Sequence, residues 1–145
     1  MFRHILLPTD GSPLSEAAMR KGIELAKTIN ARVTGFCVIT ELPFAGCEAE
    51  IGPEFIKQAK AAVQAEVNKN LLAIEAAAKE AGVPCETASV KSMQTYEAII
   101  EAAKNRGCDL IIMASHGRRG VEGFLLGSET QKVLTHSKIP VLAYR

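Results

Sequence analysis

The chain has little that would commit it to metal, redox, nucleic-acid or membrane chemistry. Its four cysteines, Cys37, Cys47, Cys85 and Cys108, form no C-x-x-C pair and have no His or Cys partner at metal-ligand spacing. Cys37, Cys85 and Cys108 lie in or beside apolar runs, where a free thiol packs as a small hydrophobe, and such thiols suit a reducing compartment. The formal net charge is only +1 and the basic residues gather on no segment, so there is no electrostatic footprint for nucleic acid or an anionic membrane. The opening apolar run, Ile5-Leu6-Leu7, is ended at once by Pro8. It is too short for a signal-peptide core, and no run elsewhere reaches membrane-spanning length. The expectation is a cytoplasmic protein.

Several catalytic motifs are also missing. No G-x-x-x-x-G-K-[ST] occurs, which excludes a P-loop NTPase, and no G-x-G-x-x-G follows the first apolar run, which excludes the dinucleotide fingerprint. There is no nucleophile elbow and no H-E-x-x-H. No His pairs with a candidate nucleophile, so no catalytic residue is assigned; His4 and His136 read as structural or exposed.

What is present is an ordinary globular mixture of 48% apolar and 23% charged residues. At 145 residues it fits one domain, 1–145, with enough chain to bury a core. Strand and helix signals alternate throughout. His4 to Leu7 is a buried-strand run closed by Pro8-Thr9-Asp10-Gly11, and Ser12-Pro13 opens a helix with Ser12 as N-cap. Arg32 to Ile39 is a second strand, and Thr40 to Pro53 a loop. From Glu54 to about Ala81, apolar residues recur every three or four positions, until Gly82 caps the helix and Pro84 prevents its continuation. Then come a strand at Cys85 to Val90, a helix at Thr95 to about Arg106 and a nearly all-apolar strand at Asp109 to Ala114. A helix at Ser128 to about Ser137 and a strand at Ile139 to Tyr144 complete the chain. Five strands separated by four helices predict an α/β fold, an open parallel sheet with helices on both faces.

Ligands of such sheets sit outside the carboxyl ends of the strands, where strand order reverses. The turn after the fourth strand holds Gly117, Gly120, Gly123 and Gly127, which let backbone N–H groups approach a phosphate. Gly127-Ser128 then opens a helix whose free N–H groups and dipole suit an anion. Ser128 and Thr130 add hydroxyls, and Arg118 and Arg119 add charge. The plainer reading is a long loop with Ser128 as an ordinary N-cap. Asp10 has two readings as well: a carboxylate for ribose hydroxyls or a phosphate-bound metal, or a turn former before Gly-Ser. His116 could touch a phosphate or be only a polar loop residue.

Ile5-Leu6-Leu7-Pro8-Thr9-Asp10-Gly11-Ser12 resembles the opening of universal stress proteins. Met113-Ala114-Ser115-His116-Gly117 through Gly127-Ser128 resembles their ATP-binding signature, G-x2-G-x9-G-[ST], and Pro140-Val141-Leu142 their closing strand. The resemblance spans essentially the whole chain. It implies strand order 3-2-1-4-5, a Rossmann-like sheet of the adenine nucleotide alpha hydrolase type. It also implies ATP at the crevice between strands one and four, with Mg²⁺ carried by the nucleotide. Pro8, Thr9 and Asp10 would lie beside the adenosine, and the backbone of Val38 would meet the adenine. Met113, Ala114, Ser115, His116, Gly117, Arg118, Arg119 and Gly120 would wrap ribose and phosphates. Gly127, Ser128, Glu129 and Thr130 would cradle the phosphates. One departure stands out: the first signature glycine is Ala114, whose methyl group could crowd the ligand or require φ < 0.

The function implied is that of a nucleotide-responsive stress module. The alternatives are a slow ATPase or phosphoryl-transfer enzyme, and a nucleotide-free dimeric interaction protein. Many members of the family pair through the last strand, so a homodimer through residues 139–144 is expected, with no nucleic-acid or membrane partner. The sequence identifies no protein partner.

Overall fold

The computed structural model describes residues 1–42, 44, 46–117 and 126–145. Its elements run β1 (His4–Pro8), α1 (Pro13–Ile29), β2 (Arg32–Ile39), α2 (Glu48–Ile51), α3 (Pro53–Ala81), β3 (Cys85–Lys91), α4 (Thr95–Asn105), β4 (Leu110–Ala114), α5 (Ser128–His136) and β5 (Val141–Tyr144). The five strands form one sheet in the order β3-β2-β1-β4-β5, and all four pairings are parallel. The expected order is therefore the observed one.

Side-chain alternation on the strands sorts the core into two layers. Ile5 and Leu7 of β1 and Val33 of β2 pack with Met19, Ile23 and Ala26 of α1 and with Ile74 and Ala78 of α3. Leu6 and Phe36 point the other way, onto Ile99 and Ala103 of α4 and Val133 of α5. Strands covered on both faces need continuous apolar runs, and Ile5, Leu6, Leu7 and Ile111 are each 0% exposed.

Four sequence expectations need correction. The 40–53 segment is not loop throughout: it contains the four-residue α2, too short to show a helical period. The described residues accordingly form five helices rather than four. The long helix begins at Pro53, which occupies the first helical position with Gly52 as its cap. The last strand begins at Val141 rather than Ile139, since Pro140 offers no N–H to a ladder. Ser12 is the N-cap of α1 as expected, its hydroxyl accepting the Ser15 N–H at 3.2 Å.

Chain connectivity reverses at β1: β2 and β3 build out on one side, β4 and β5 on the other. The switch point is therefore the gap between the carboxyl ends of β1 and β4.

Candidate functional site

The β1 end of that gap is a hydrogen-bonded turn. Asp10 Oδ1 accepts the Ser12 N–H at 2.9 Å, which is the turn-forming role. The Thr9 hydroxyl lies 2.6 Å from the Ser15 hydroxyl and accepts the Gly11 N–H at 3.1 Å. Gly11 has φ 77°, the left-handed region that a glycine enters without strain. The Thr9 N–H donates to the Phe36 carbonyl at 2.9 Å, so β2 continues past β1 and carries the Val38 backbone to the rim.

Across the gap, β4 pairs with β1 through Ile5 with Leu110 and Leu6 with Ile111. Continuing that register brings Met113 level with Pro8, and Ser115 to Gly117 level with the Asp10 turn. Contact confirms the placement: a Cβ added to Gly117 would collide with Asp10 Oδ2. The carboxylate and the second signature glycine thus face one another. Ser115 is buried, with its hydroxyl 3.2 Å from His116 Nδ1.

The third signature glycine has a role the sequence did not disclose. The Gly127 N–H donates to the Ser115 carbonyl at 2.6 Å. A Cβ on Gly127 would lie 3.0 Å from His116 Cα and 3.3 Å from the Ser115 carbonyl oxygen. Gly127, with φ −70° and ψ 156°, is the N-cap of α5 and Ser128 its first residue, which displaces Ser128 from the cap. The first N–H groups of α5 have no intrahelical acceptor and open beside the exposed Ser128 and Gly117.

Two other residues expected at the phosphates have their side chains engaged with protein groups. The Thr130 hydroxyl, buried, donates to the Ala114 carbonyl at 2.8 Å and ties α5 to the end of β4. The Glu129 carboxylate accepts the Tyr96 N–H of α4 at 2.9 Å. Ala114 itself ends a regular strand and has no positive φ, so the methyl group entails no backbone strain. Arg118, Arg119 and Gly120, together with Gly123, lie outside the described residues.

The cysteines play no part in this chemistry. Cys37, below the turn, is pushed up to about 12 by burial and by the Asp10 charge, and Cys108 to about 11 chiefly by burial. Both stay protonated thiols near neutral pH. A cavity of about 450 Å³ opens nearby, between α3 and the ends of β2 and β3. Ile39, Leu42, Phe44 and Ile56 line it, but none of Asp10, Gly117, Gly127 or Ser128 does. The strand switch point and the glycines, rather than that volume, locate the candidate site.

A family model described as the universal stress protein family matches residues 1–145. This chain belongs to that family. It is 32% identical over 145 residues to universal stress protein MJ0531 of Methanocaldococcus jannaschii, covering all of this chain and 83% of that one. It is 31% identical to universal stress protein YxiE of Bacillus subtilis, with both chains covered in full. Among solved structures, protein MJ0577 of M. jannaschii superposes with a TM-score of 0.83 at 29% identity, over 99% of this chain and 96% of that one. A universal stress protein solved in complex with cAMP gives a TM-score of 0.72 at 25% identity, over 99% and 97% of the two chains. No helix among the described residues is long and apolar enough to cross a membrane.

Proposed function

We propose that the chain binds ATP in the crevice between β1 and β4 and works in the cytoplasm as a single-domain, nucleotide-responsive regulatory module. The observation that carries this reading is the facing of Asp10 and Gly117 across the switch point, with the N-terminus of α5 opening beside them. Backbone donors next to a residue without a side chain suit a phosphate chain, and a carboxylate at the end of β1 suits ribose hydroxyls. The related protein held cAMP, which supports an adenine nucleotide as the ligand class.

In this reading Pro8, Thr9, Asp10 and the Val38 backbone border the adenosine. Met113, Ala114, Ser115, His116 and Gly117 follow the ribose and first phosphate. Gly127, the Ser128 hydroxyl and the backbone N–H groups of Glu129 and Thr130 receive the remaining phosphates. Mg²⁺ would arrive with the nucleotide, held chiefly by the phosphates and by at most one or two protein carboxylates. The site has N–H donors but no lysine among its described members, so we expect affinity between micromolar and millimolar. Calorimetry with ATP and Mg²⁺, and mass spectrometry of the natively purified protein, test the proposal. No binding heat at millimolar ATP and no co-purifying nucleotide would overturn it.

A further inference from the structure

Glu129 is the second residue of α5, and its carboxylate would ordinarily be unwelcome where phosphates are to bind. The structure shows where it goes. Oε2 accepts the Tyr96 N–H at 2.9 Å, and Oε1 lies 3.4 Å from Lys132 Nζ. Tyr96 is the second residue of α4, whose own N-cap, Gln94, makes no side-chain capping bond. A free N–H of the first turn of α4 is thus satisfied by a side chain 33 residues away, and a negative charge sits at the positive end of that helix.

The same helix face continues the grip. Lys132 Nζ lies 5.5 Å from the Tyr96 ring centroid, and the His136 ring centroid lies 5.2 Å from it. Residues 129, 132 and 136 are spaced i, i+3, i+7, one side of a helix. The Tyr96 hydroxyl in turn donates to Glu97 Oε1 at 3.0 Å. The N-terminal turn of α5 therefore has two anchors, to two different elements: Thr130 to the Ala114 carbonyl of β4, and Glu129 to the Tyr96 N–H of α4.

From this geometry we infer that Glu129 is a positioning residue for the nucleotide site and the coupling point between that site and the N-terminus of α4. The inference rests on the ATP-binding reading above. Its carboxylate acts through Tyr96: it holds the first turn of α5 in place and keeps its own charge turned from the phosphates. Ordering of that turn by a bound phosphate then tightens the Glu129–Tyr96 bond, and by reciprocity a tighter bond favours the phosphate.

The sign of one substitution separates this role from a simple electrostatic one. Were Glu129 only a nearby negative charge, Glu129→Ala would strengthen ATP binding. As a positioning residue its loss weakens ATP binding, by about threefold to tenfold if the effect is that of a lost helix cap. Glu129→Gln, which retains an acceptor for the Tyr96 N–H, restores most of the affinity. Hydrogen exchange gives an independent readout: the Tyr96 amide exchanges faster in Glu129→Ala, and saturating ATP slows it in the unmodified protein. Equal or tighter ATP binding by Glu129→Ala overturns the inference, and so does a Tyr96 amide indifferent to ATP. The second measurement needs no variant and stands even if Glu129→Ala folds poorly. Failure of the unmodified protein to bind ATP is a separate outcome: it removes the nucleotide reading and this inference with it.

Discussion

Asp10 Oδ2 occupies the space into which any side chain at Gly117 would have to grow. This pair defines the crevice more sharply than either residue alone, because it joins the turn after β1 to the end of β4 without an intervening side chain. Gly117 is exposed and has no positive φ, so its value is steric rather than conformational. Gly117→Val should displace the Asp10 carboxylate and abolish ATP binding, with little change in thermal midpoint. Calorimetry beside a melting curve checks this, and retained affinity would show that the loop does not approach the phosphates.

Gly127→Val should behave differently. From the sequence, loss of binding with the fold largely intact is expected of either glycine. The 3.0 Å approach to His116 Cα and the 2.6 Å bond to the Ser115 carbonyl put Gly127 against backbone that cannot easily yield. The variant should therefore lose stability as well as ATP binding, by about 1–3 kcal/mol, the ordinary range for overpacking. Urea denaturation measures it, and an unchanged midpoint would mean that the turn relaxes freely.

Ala114→Gly should leave ATP affinity unchanged or raise it, since the only loss is a methyl group at the end of β4. Stability should fall by about 0.5–1 kcal/mol, because glycine in a strand gives up more conformational entropy on folding. A large loss of affinity would mean that the alanine contributes to the site.

Much of this was legible in the sequence. Gly82, Pro84 and Ser12-Pro13 punctuate elements whose periods change from helix to strand, and parallel order follows from the alternation. The strand order came from family resemblance, and the pairings bear it out. What could not be read are contacts between residues far apart in the chain. Glu129 with Tyr96, Thr130 with Ala114, and Gly127 against His116 leave no periodic trace, because each depends on where two elements finish in space. The candidate residues were therefore nameable, but which of their side chains are tied to other protein groups was not.

His4, the first residue of the central strand β1, provides a pH dependence at the opposite, amino-terminal end of the strands. The ring is 2% exposed, and Nε2 lies 2.7 Å from the Thr34 hydroxyl. That hydroxyl donates to Glu86 Oε1 at 3.0 Å, so Nε2 must be the donor and Nδ1 the bare nitrogen. Nδ1 is buried with no hydrogen-bond partner among the described residues. Burial first, then the Arg32 charge, hold His4 below its usual 6.5, although Glu86, the Arg106 backbone and Asp109 pull upward. The unfolded chain thus takes up this proton before the folded one, and stability falls as pH drops below about 6.5.

The carboxylates act lower down. Glu86 is held below 4.5, chiefly by the Thr34 hydroxyl and then by Arg106. Asp109 is held below 3.8: burial raises it, but the backbone N–H groups of His4 and Arg3 outweigh that. Urea denaturation from neutral pH to about pH 5 should show a decline that His4→Gln flattens, since Gln has no proton to gain. Equal slopes for the two proteins would exclude His4 as the source.

The last expectation concerns assembly through β5. This strand lies at the sheet edge, carries no charge from Val141 to Tyr144, and leaves Leu142 42% exposed. Leu134 of α5 is 39% exposed. The Ile111 N–H donates to the Pro140 carbonyl and the Ser115 N–H to the Tyr144 carbonyl. Even-numbered residues of β5 therefore direct their backbone groups toward β4, and Val141 and Ala143 direct theirs outward. An apolar edge of this kind invites pairing, and its own copy across a two-fold axis would satisfy both strands in one isologous contact. We expect an antiparallel homodimer through residues 139–144. Ala143→Pro removes an outward N–H while sparing the ladder to β4. Val141→Lys is the less clean partner for it, because Val141 packs against the core layer of α4 and α5. Leu142→Lys with Ala143→Pro places the charge on the exposed side chain instead, and should yield a folded monomer. Light scattering at tens of micromolar decides the matter: a monomer mass for the unmodified protein at that concentration would rule out an interface of ordinary size at this edge.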